Sequence, residues 1–320
     1  MHSAILALLV CLLTTSFAPR EVRVTAWEGD VDAPVAAVWR AYTTAEGLRA
    51  RGFVDAEVDL RVGGTLRRTL KSDGDGEPEK LVETILTFEP ERLLATRSAA
   101  SDATAWRATY FSELSPTRTH LRIAVVDPSE EPSGDDAELF ALLCEAERAA
   151  LAGALTLKTE PAPARKAKAP RTAVCERVVD ASPAEVWKLY TTNAGAESWM
   201  VARASIEVAV GGVVKTSYDP QSNLADEGTI VTHVLAFEPE RLWATRFEVP
   251  KAAAALALAE ATWVVLTFEP VDGGKTRVRC SHQGFGEGAE WDPVFAFFEE
   301  GNASELDALA KRCDELRGKQ

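Results

Sequence analysis

The sequence predicts an α+β chain of two tandem domains, each a curved antiparallel sheet wrapped around a long C-terminal helix, with two short helices near its start. Three observations predict it. First, Val38-Trp39, Tyr42-Thr43-Thr44 and Gly63-Gly64 return as Val186-Trp187, Tyr190-Thr191-Thr192 and Gly211-Gly212, and Phe88-Glu89-Pro90-Glu91-Arg92-Leu93 returns as Phe237-Glu238-Pro239-Glu240-Arg241-Leu242. A repeat spacing of about 150 residues is the size of a whole domain and far too long for a solenoid unit. Second, each copy carries several short β-rich runs separated by turn residues. Third, each copy closes on a long stretch of helical periodicity.

In the first copy, residues 21–158, Glu21 to Val31 is strand-like. Pro34 to Thr44 carries helical spacing, with Pro34 in the first turn, where its missing N–H is tolerated. Val58 to Val62 approaches Gly63-Gly64, a dipeptide able to adopt the positive φ angles of a tight hairpin. Lys71 to Lys80 reads as a polar, Gly-rich loop. Leu81 to Phe88 and Leu93 to Ser98 are strands joined by the Glu-Pro-Glu-Arg turn, and Trp106 to Leu114 and Thr119 to Val126 complete the sheet. From Asp135 to Lys158 the period becomes helical, with Leu139, Leu142, Leu143, Ala146, Ala150 and Leu151 as one apolar stripe.

Residues 159–171 read as a linker, because Pro161, Pro163 and Pro170 among Ala, Lys and Arg favour an extended chain. The second copy, residues 172–316, repeats the plan. A strand at Thr172 to Asp180 precedes helices over Pro183 to Trp199. Strands follow near 204–210, 213–218, 228–237, 241–248, 261–268 and 275–282, with Asp272-Gly273-Gly274 marking the last hairpin. The closing helix runs from Trp291 to Leu316. Ahead of both copies, the apolar run at residues 4–13 and the small residues up to Ala18 resemble a secretory signal peptide, residues 1–18, too short to span a membrane. Cleavage would give an exported chain with no stable membrane span; without cleavage the chain would be membrane-anchored or cytoplasmic.

Hydrophobic residues at 46% and charged residues at 26% are values of a folded chain able to build a core in each domain. The formal net charge of −14 opposes attraction to phosphate backbones and anionic lipids, so nucleic acid is not an expected partner. Past the signal-like segment, Cys144, Cys175, Cys280 and Cys313 show no CxxC or Cys/His ligand spacing, and no metal site is expected. Small buried hydrophobes is one reading of these four. Cys175 and Cys280 fall on the first and last strands of the second copy, where a disulfide is open to them in an oxidising compartment. No GxSxG, HExxH, P-loop or dinucleotide fingerprint occurs between a strand and a helix, and no cofactor is expected.

The order of elements, with the PxxVWxxYT helix, the strand-Gly-Gly-strand segment, the PERL turn and a final HxGF before a long helix, resembles the helix-grip superfamily. This is also called START or Bet v 1-like, and SRPBCC in its bacterial groupings. Within it the chain is similar to the branch named after the C-terminal domain of the activator of the 90-kDa heat-shock protein ATPase. The second copy carries the fuller match, through Pro183, Val186, Trp187, Thr191, Trp199, Val210-Gly211-Gly212, Gly228, Pro239, Arg241-Leu242 and His282-Gln283-Gly284-Phe285. In the first copy Gly47 to Phe53 replaces the Trp-containing end of the second helix, and no HxGF element appears, which points to a degraded cavity there. The resemblance implies a hydrophobic cavity under the long helix, used in the superfamily for lipids, sterols and polyketides, and in some members for cyclisation or dehydration.

His282 alternates with Val278 and Cys280 on the last strand, which places its imidazole on the inward face. There it either orients a ligand oxygen or acts as acid or base, or is a structural histidine hydrogen-bonded to backbone beside Gly284. Trp199 and Met200 end the second helix, and Phe285, Phe295 and Phe298 gather at the approach to the closing helix. They read either as a cavity wall or as core. Trp39 and Trp187 occur in both copies and read as core packing. Glu89, Glu91 and Arg92 with Glu238, Glu240 and Arg241 flank Pro turns and read as solvated hairpin tips.

The leading functional expectation is binding of a small apolar molecule, mainly in the second domain, by a protein that is not an enzyme. Trp199, Met200, His282, Phe285, Phe295 and Phe298 are the expected ligand contacts. A cyclase- or aromatase-like enzyme using His282 is the first alternative. A protein-interaction module without a cavity is the second.

Overall fold

A computed structural model describes residues 22–71, 77–100, 104–129, 136–156, 170–249 and 251–318. The signal-like segment, part of the Lys71 to Lys80 loop and most of the linker lie outside the described residues. The first domain runs β1 (Arg23–Val31), α1 (Val35–Thr43), α2 (Ala45–Ala50), β2 (Asp55–Val58), β3 (Thr65–Leu70), β4 (Glu79–Glu89), β5 (Leu93–Ser98), β6 (Trp106–Ser115), β7 (Arg118–Asp127) and α3 (Asp136–Thr156). The second repeats it as β8 (Arg171–Val179), α4 (Pro183–Thr191), α5 (Asn193–Glu197), β9 (Arg203–Ile206), β10 (Val213–Ser217), β11 (Ile230–Glu238), β12 (Leu242–Glu248), β13 (Trp263–Val271), β14 (Lys275–Phe285) and α6 (Asp292–Arg317).

Each sheet has seven antiparallel strands, in the orders β1-β7-β6-β5-β4-β3-β2 and β8-β14-β13-β12-β11-β10-β9. One face of each is covered by the closing helix and the paired short helices, as an antiparallel sheet with alternating apolar residues requires. The tandem helix-grip architecture expected from the repeat is therefore present.

Three local expectations are corrected. Gly63-Gly64 and Gly211-Gly212 do not cap two-residue hairpins. They close the longer connections that precede β3 and β10 and bond across to β4 and β11: Gly63 donates to the Ile85 carbonyl and Ile85 donates back to Gly64, as Gly211 and Val234 do through Gly212. Both ladders shift register at this point, between Ile85 and Thr87 and between Val234 and Ala236. Glycine is required because Gly63 and Gly211 hold φ of +77° and +84°, and a Cβ on Gly64 would lie 2.1 Å from the Asp59 carbonyl oxygen.

The stripe expected on α3 is also displaced. Leu139, Leu142 and Leu143 are exposed, Leu142 by 67%, while Cys144, Leu151 and Ala154 are buried with Glu147 among them. The spacing 144, 147, 151, 154 is itself helical, but a glutamate stands on its inward face, and a search for apolar periodicity passes over it. A further segment, Lys251–Ala261, forms short 3₁₀ turns in the second domain. There Leu256, Leu258 and Ala259 pack with Phe285, Val294 and Phe298 at the start of α6.

In the Glu-Pro-Glu-Arg turns Glu91, Arg92 and Glu240 are exposed as expected, but Glu89 and Glu238 are not solvated, because the sheet faces turned away from the helices pack against each other there. Glu89 and Glu238 are 4% and 3% exposed. Glu238 accepts from the Tyr110 hydroxyl at 2.6 Å and from both terminal nitrogens of Arg122 at 2.6 and 2.9 Å, and Glu89 accepts from Arg279. The contact is reciprocal. Trp106 Nε1 donates to the Phe237 carbonyl at 2.8 Å and Trp263 Nε1 to the Phe88 carbonyl at 2.9 Å, each indole packed on the phenyl ring beside that carbonyl. Duplicated residues thus meet across a pseudo-two-fold axis, as in an isologous dimer fused into one chain. Trp106→Phe and Trp263→Phe are each expected to cost about 1–3 kcal/mol, by leaving a buried carbonyl unpaired. Denaturant unfolding of the two variants checks this, and the pseudo-symmetry predicts matching losses.

Candidate functional site

Beneath each closing helix the fold repeats one pair, a tyrosine from the first helix facing a glutamate from the last. In the first domain these are Tyr42 and Glu147; in the second, Tyr190 and Glu305, with the Tyr190 hydroxyl 3.1 Å from Glu305 Oε1. Their surroundings differ completely.

In the first domain a solvent-open recess of ≈ 280 Å³ is lined by Tyr42, Arg51, Arg68, Arg107, Glu83 and Glu147 together with leucines and threonines. Its enclosed part has room for about one water molecule. Glu147 accepts from Arg51 Nη2 at 2.6 Å and from Arg107 Nη2 at 2.8 and 2.9 Å. Burial alone would raise its carboxyl, but Arg107 and then Arg51 outweigh it and hold Glu147 at about 2. Arg68 pairs with Glu83, which also accepts from Thr96 Oγ1. The Arg51 guanidinium lies 4.2 Å from the centre of the Tyr42 ring, and burial, then the Glu147 charge, keeps the Tyr42 phenol protonated. Arg51 comes from the Gly47 to Phe53 segment, where the sequence suggested a degraded cavity. The recess is present there and charged.

In the second domain each charge around the pair is gone. Trp199 occupies the place of Arg51, Thr216 that of Arg68, Thr232 that of Glu83 and Val264 that of Arg107, by the repeat. The Trp199 ring packs edge-on against Tyr190 at 5.3 Å, and its Nε1 donates to the Leu189 carbonyl. With no cation in contact, burial lifts the Glu305 carboxyl above the ordinary carboxylate range. Trp199, Thr232, Asn302 and Glu305 are half-buried.

His282 is fully buried on the inward face, among Phe247, Phe285 and Phe298. Its partners are side chains, not the backbone beside Gly284. Thr262 Oγ1 donates to the Ala259 carbonyl at 2.7 Å, so at 2.8 Å from His282 it accepts the Nε2 proton. His282 Nδ1 is then the acceptor facing Asn302 Nδ2 at 3.4 Å. Burial depresses the imidazole to about 3, and both its nitrogens are spent on the protein.

The other expected contacts divide between three places. Phe285, Phe295 and Phe298 join His282 near the start of α6, where Phe285 is fully buried and Arg171 lies 3.9 Å from the Phe295 ring centre. Trp199 stands beside Tyr190, and Met200 packs apart from both with Ala196, Val201 and Ala204. Trp39 is buried against Phe111, and Trp187 packs on Trp243 and Phe268. Cys175 and Cys280 face each other in register as free thiols. Glu305, Tyr190 and Asn302 were not singled out from the sequence. Asn302 and Glu305 lie one helical turn apart on a stripe shared with Leu306 and Leu309, the signal that could have found them.

The chain matches the family described as Activator of Hsp90 ATPase homolog 1-like protein twice, over residues 32–146 and 180–314. It belongs to that family. No curated protein matches it. Among solved structures it is similar to protein MLL2253 from Mesorhizobium loti, at 23% identity over 45% of this chain and 98% of that one, with a TM-score of 0.37. It is similar at 18% identity to the Aha1 dimer from Colwellia psychrerythraea, over 45% of this chain and 96% of that one, with a TM-score of 0.37. The di-domain ARO/CYC BexL from the BE-7585A biosynthetic pathway is similar at 15% identity over 92% of this chain and 98% of that one, with a TM-score of 0.36. Among the described residues of this family member, no helix is long and apolar enough to cross a membrane.

Proposed function

We propose that the second domain binds a small, uncharged, largely apolar molecule between its sheet and α6, and that the protein is a binding protein rather than an enzyme. One observation carries this reading: the second domain keeps the Tyr190–Glu305 pair and replaces the surrounding arginines with Trp199, Thr216 and Val264. An apolar interior with a few convergent polar groups suits such a ligand, the aromatic surfaces supplying affinity and the polar groups orientation. In this reading Trp199 and Phe298 are apolar contacts, and Glu305 with Tyr190 offers the hydrogen bond to a ligand oxygen. His282 supports the wall, with Phe285, Phe295 and Met200 packed behind it.

The state of His282 favours binding over acid–base chemistry. A general acid or base works best with a pKa near the operating pH, and an imidazole held at about 3 is neutral there, with no imidazolium proton to give and little basicity to take one. The experiment is a titration of the full chain with 1-naphthol, followed through tryptophan fluorescence. Saturable binding is expected, weakened about 10-fold by Glu305→Leu through loss of one hydrogen bond, and unchanged by Tyr42→Phe. Affinity that ignores both Glu305→Leu and Trp199→Ala would remove the reading.

A further inference from the structure

We propose that the first domain's recess is a separate binding site for a small molecule carrying a single carboxylate. The charges do not balance. Arg51, Arg68 and Arg107 meet two carboxylates, Glu83 and Glu147, leaving one positive charge in a partly desolvated site. An uncompensated buried charge is costly, and one bound anion would neutralise it.

The donors are unbalanced in the same direction. The Nε–H groups of Arg51 and Arg68 are buried without a hydrogen-bond partner, the Tyr42 hydroxyl faces Glu147 without a bond of ordinary geometry, and all three residues line the recess. The Arg51 side chain is only 3% exposed, so its Nε–H is sheltered from bulk solvent. A guanidinium binds the two oxygens of a carboxylate in a planar fork. A monoanion fits the surplus of one charge, whereas a phosphate dianion would leave a net negative charge inside. The enclosed part holds about one water molecule, so the carboxylate alone enters it and a short hydrocarbon body behind it extends into the solvent-open mouth of the recess. This site is independent of the second-domain reading, because none of its three arginines is kept there.

The experiment is calorimetric titration of the full chain with acetate, then benzoate, then benzamide as the uncharged counterpart of benzoate. Benzoate is expected to bind at least 10-fold more tightly than benzamide, and more tightly than acetate. Tyr42→Phe, which preserves volume and packing, and Arg68→Gln should each weaken benzoate about 10-fold or more, as expected for hydrogen bonds to a charged group. Trp199→Ala in the second domain should leave benzoate binding unchanged. The inference is overturned if neither anion binds, if benzoate and benzamide bind equally, or if benzoate affinity survives both first-domain variants. Loss of benzoate binding in Trp199→Ala alone would move the carboxylate to the second domain and overturn it equally.

Discussion

Glu147→Gln is expected to lower the stability of the chain by about 3–5 kcal/mol at neutral pH, the usual cost of stripping one partner from a buried ion network. The change strands Arg51 and Arg107, both of which bond Glu147 within 2.9 Å. The equivalent change in the second domain should behave differently. Glu305 has no cation in contact and a carboxyl lifted by burial, so Glu305→Gln keeps its shape and a hydrogen-bonding group while removing a charge the site disfavours. Its cost should be small at pH 7 or reversed in sign. Denaturant unfolding of both variants measures the contrast. The network also fixes a pH window: Glu147 falls from its ordinary 4.5 to about 2, so its stabilisation is complete above 4.5 and is lost as pH drops toward 2.

The second large effect is the acid sensitivity that His282 gives the second domain. Its imidazole titrates near 6.5 when unfolded and near 3 when folded. Its folded pKa is depressed, so its contribution is fully present above 6.5. Below that, the unfolded chain takes up a proton that the folded chain refuses, and stability falls by about 1.4 kcal/mol per pH unit until about pH 3. Paired carboxylates add to the wild-type curve in the same range, so the informative quantity is the difference from His282→Gln. Gln can donate to Thr262 and accept from Asn302 without titrating. The variant curve should be flatter by about one proton between pH 6 and 4. Parallel curves would mean that His282 is not held neutral by burial.

The overall architecture was legible because it rests on long periodic signals stated twice. Strands such as Leu93–Ser98 and helices such as Pro183–Thr191 follow from alternation, helical spacing and capping residues, and tertiary packing reinforces them. What escaped depends on which face an element turns to its neighbour. Glu89 and Glu238 carry a turn signature, and only packing of the two sheets buries them against Arg279 and Arg122. The α3 stripe was misplaced because Glu147 counts as solvent-facing in a hydropathy pattern, although Arg51 and Arg107, far away in sequence, pay its desolvation. The substitution of Arg51 at the place of Trp199 was visible as a departure from the family pattern. Its consequence, a recess lined by charged side chains, appears only when Arg68 and Arg107 are brought beside it.

The most direct test of the central claim is native mass spectrometry of the full-length protein isolated from its own host, with organic extraction of whatever is bound. An uncharged apolar compound is expected, retained by Tyr42→Phe and lost from Trp199→Ala. A mass free of ligand, repeated after incubation with mixed lipids and aromatic compounds, would contradict the account, as would a compound that stays bound when Trp199 is removed.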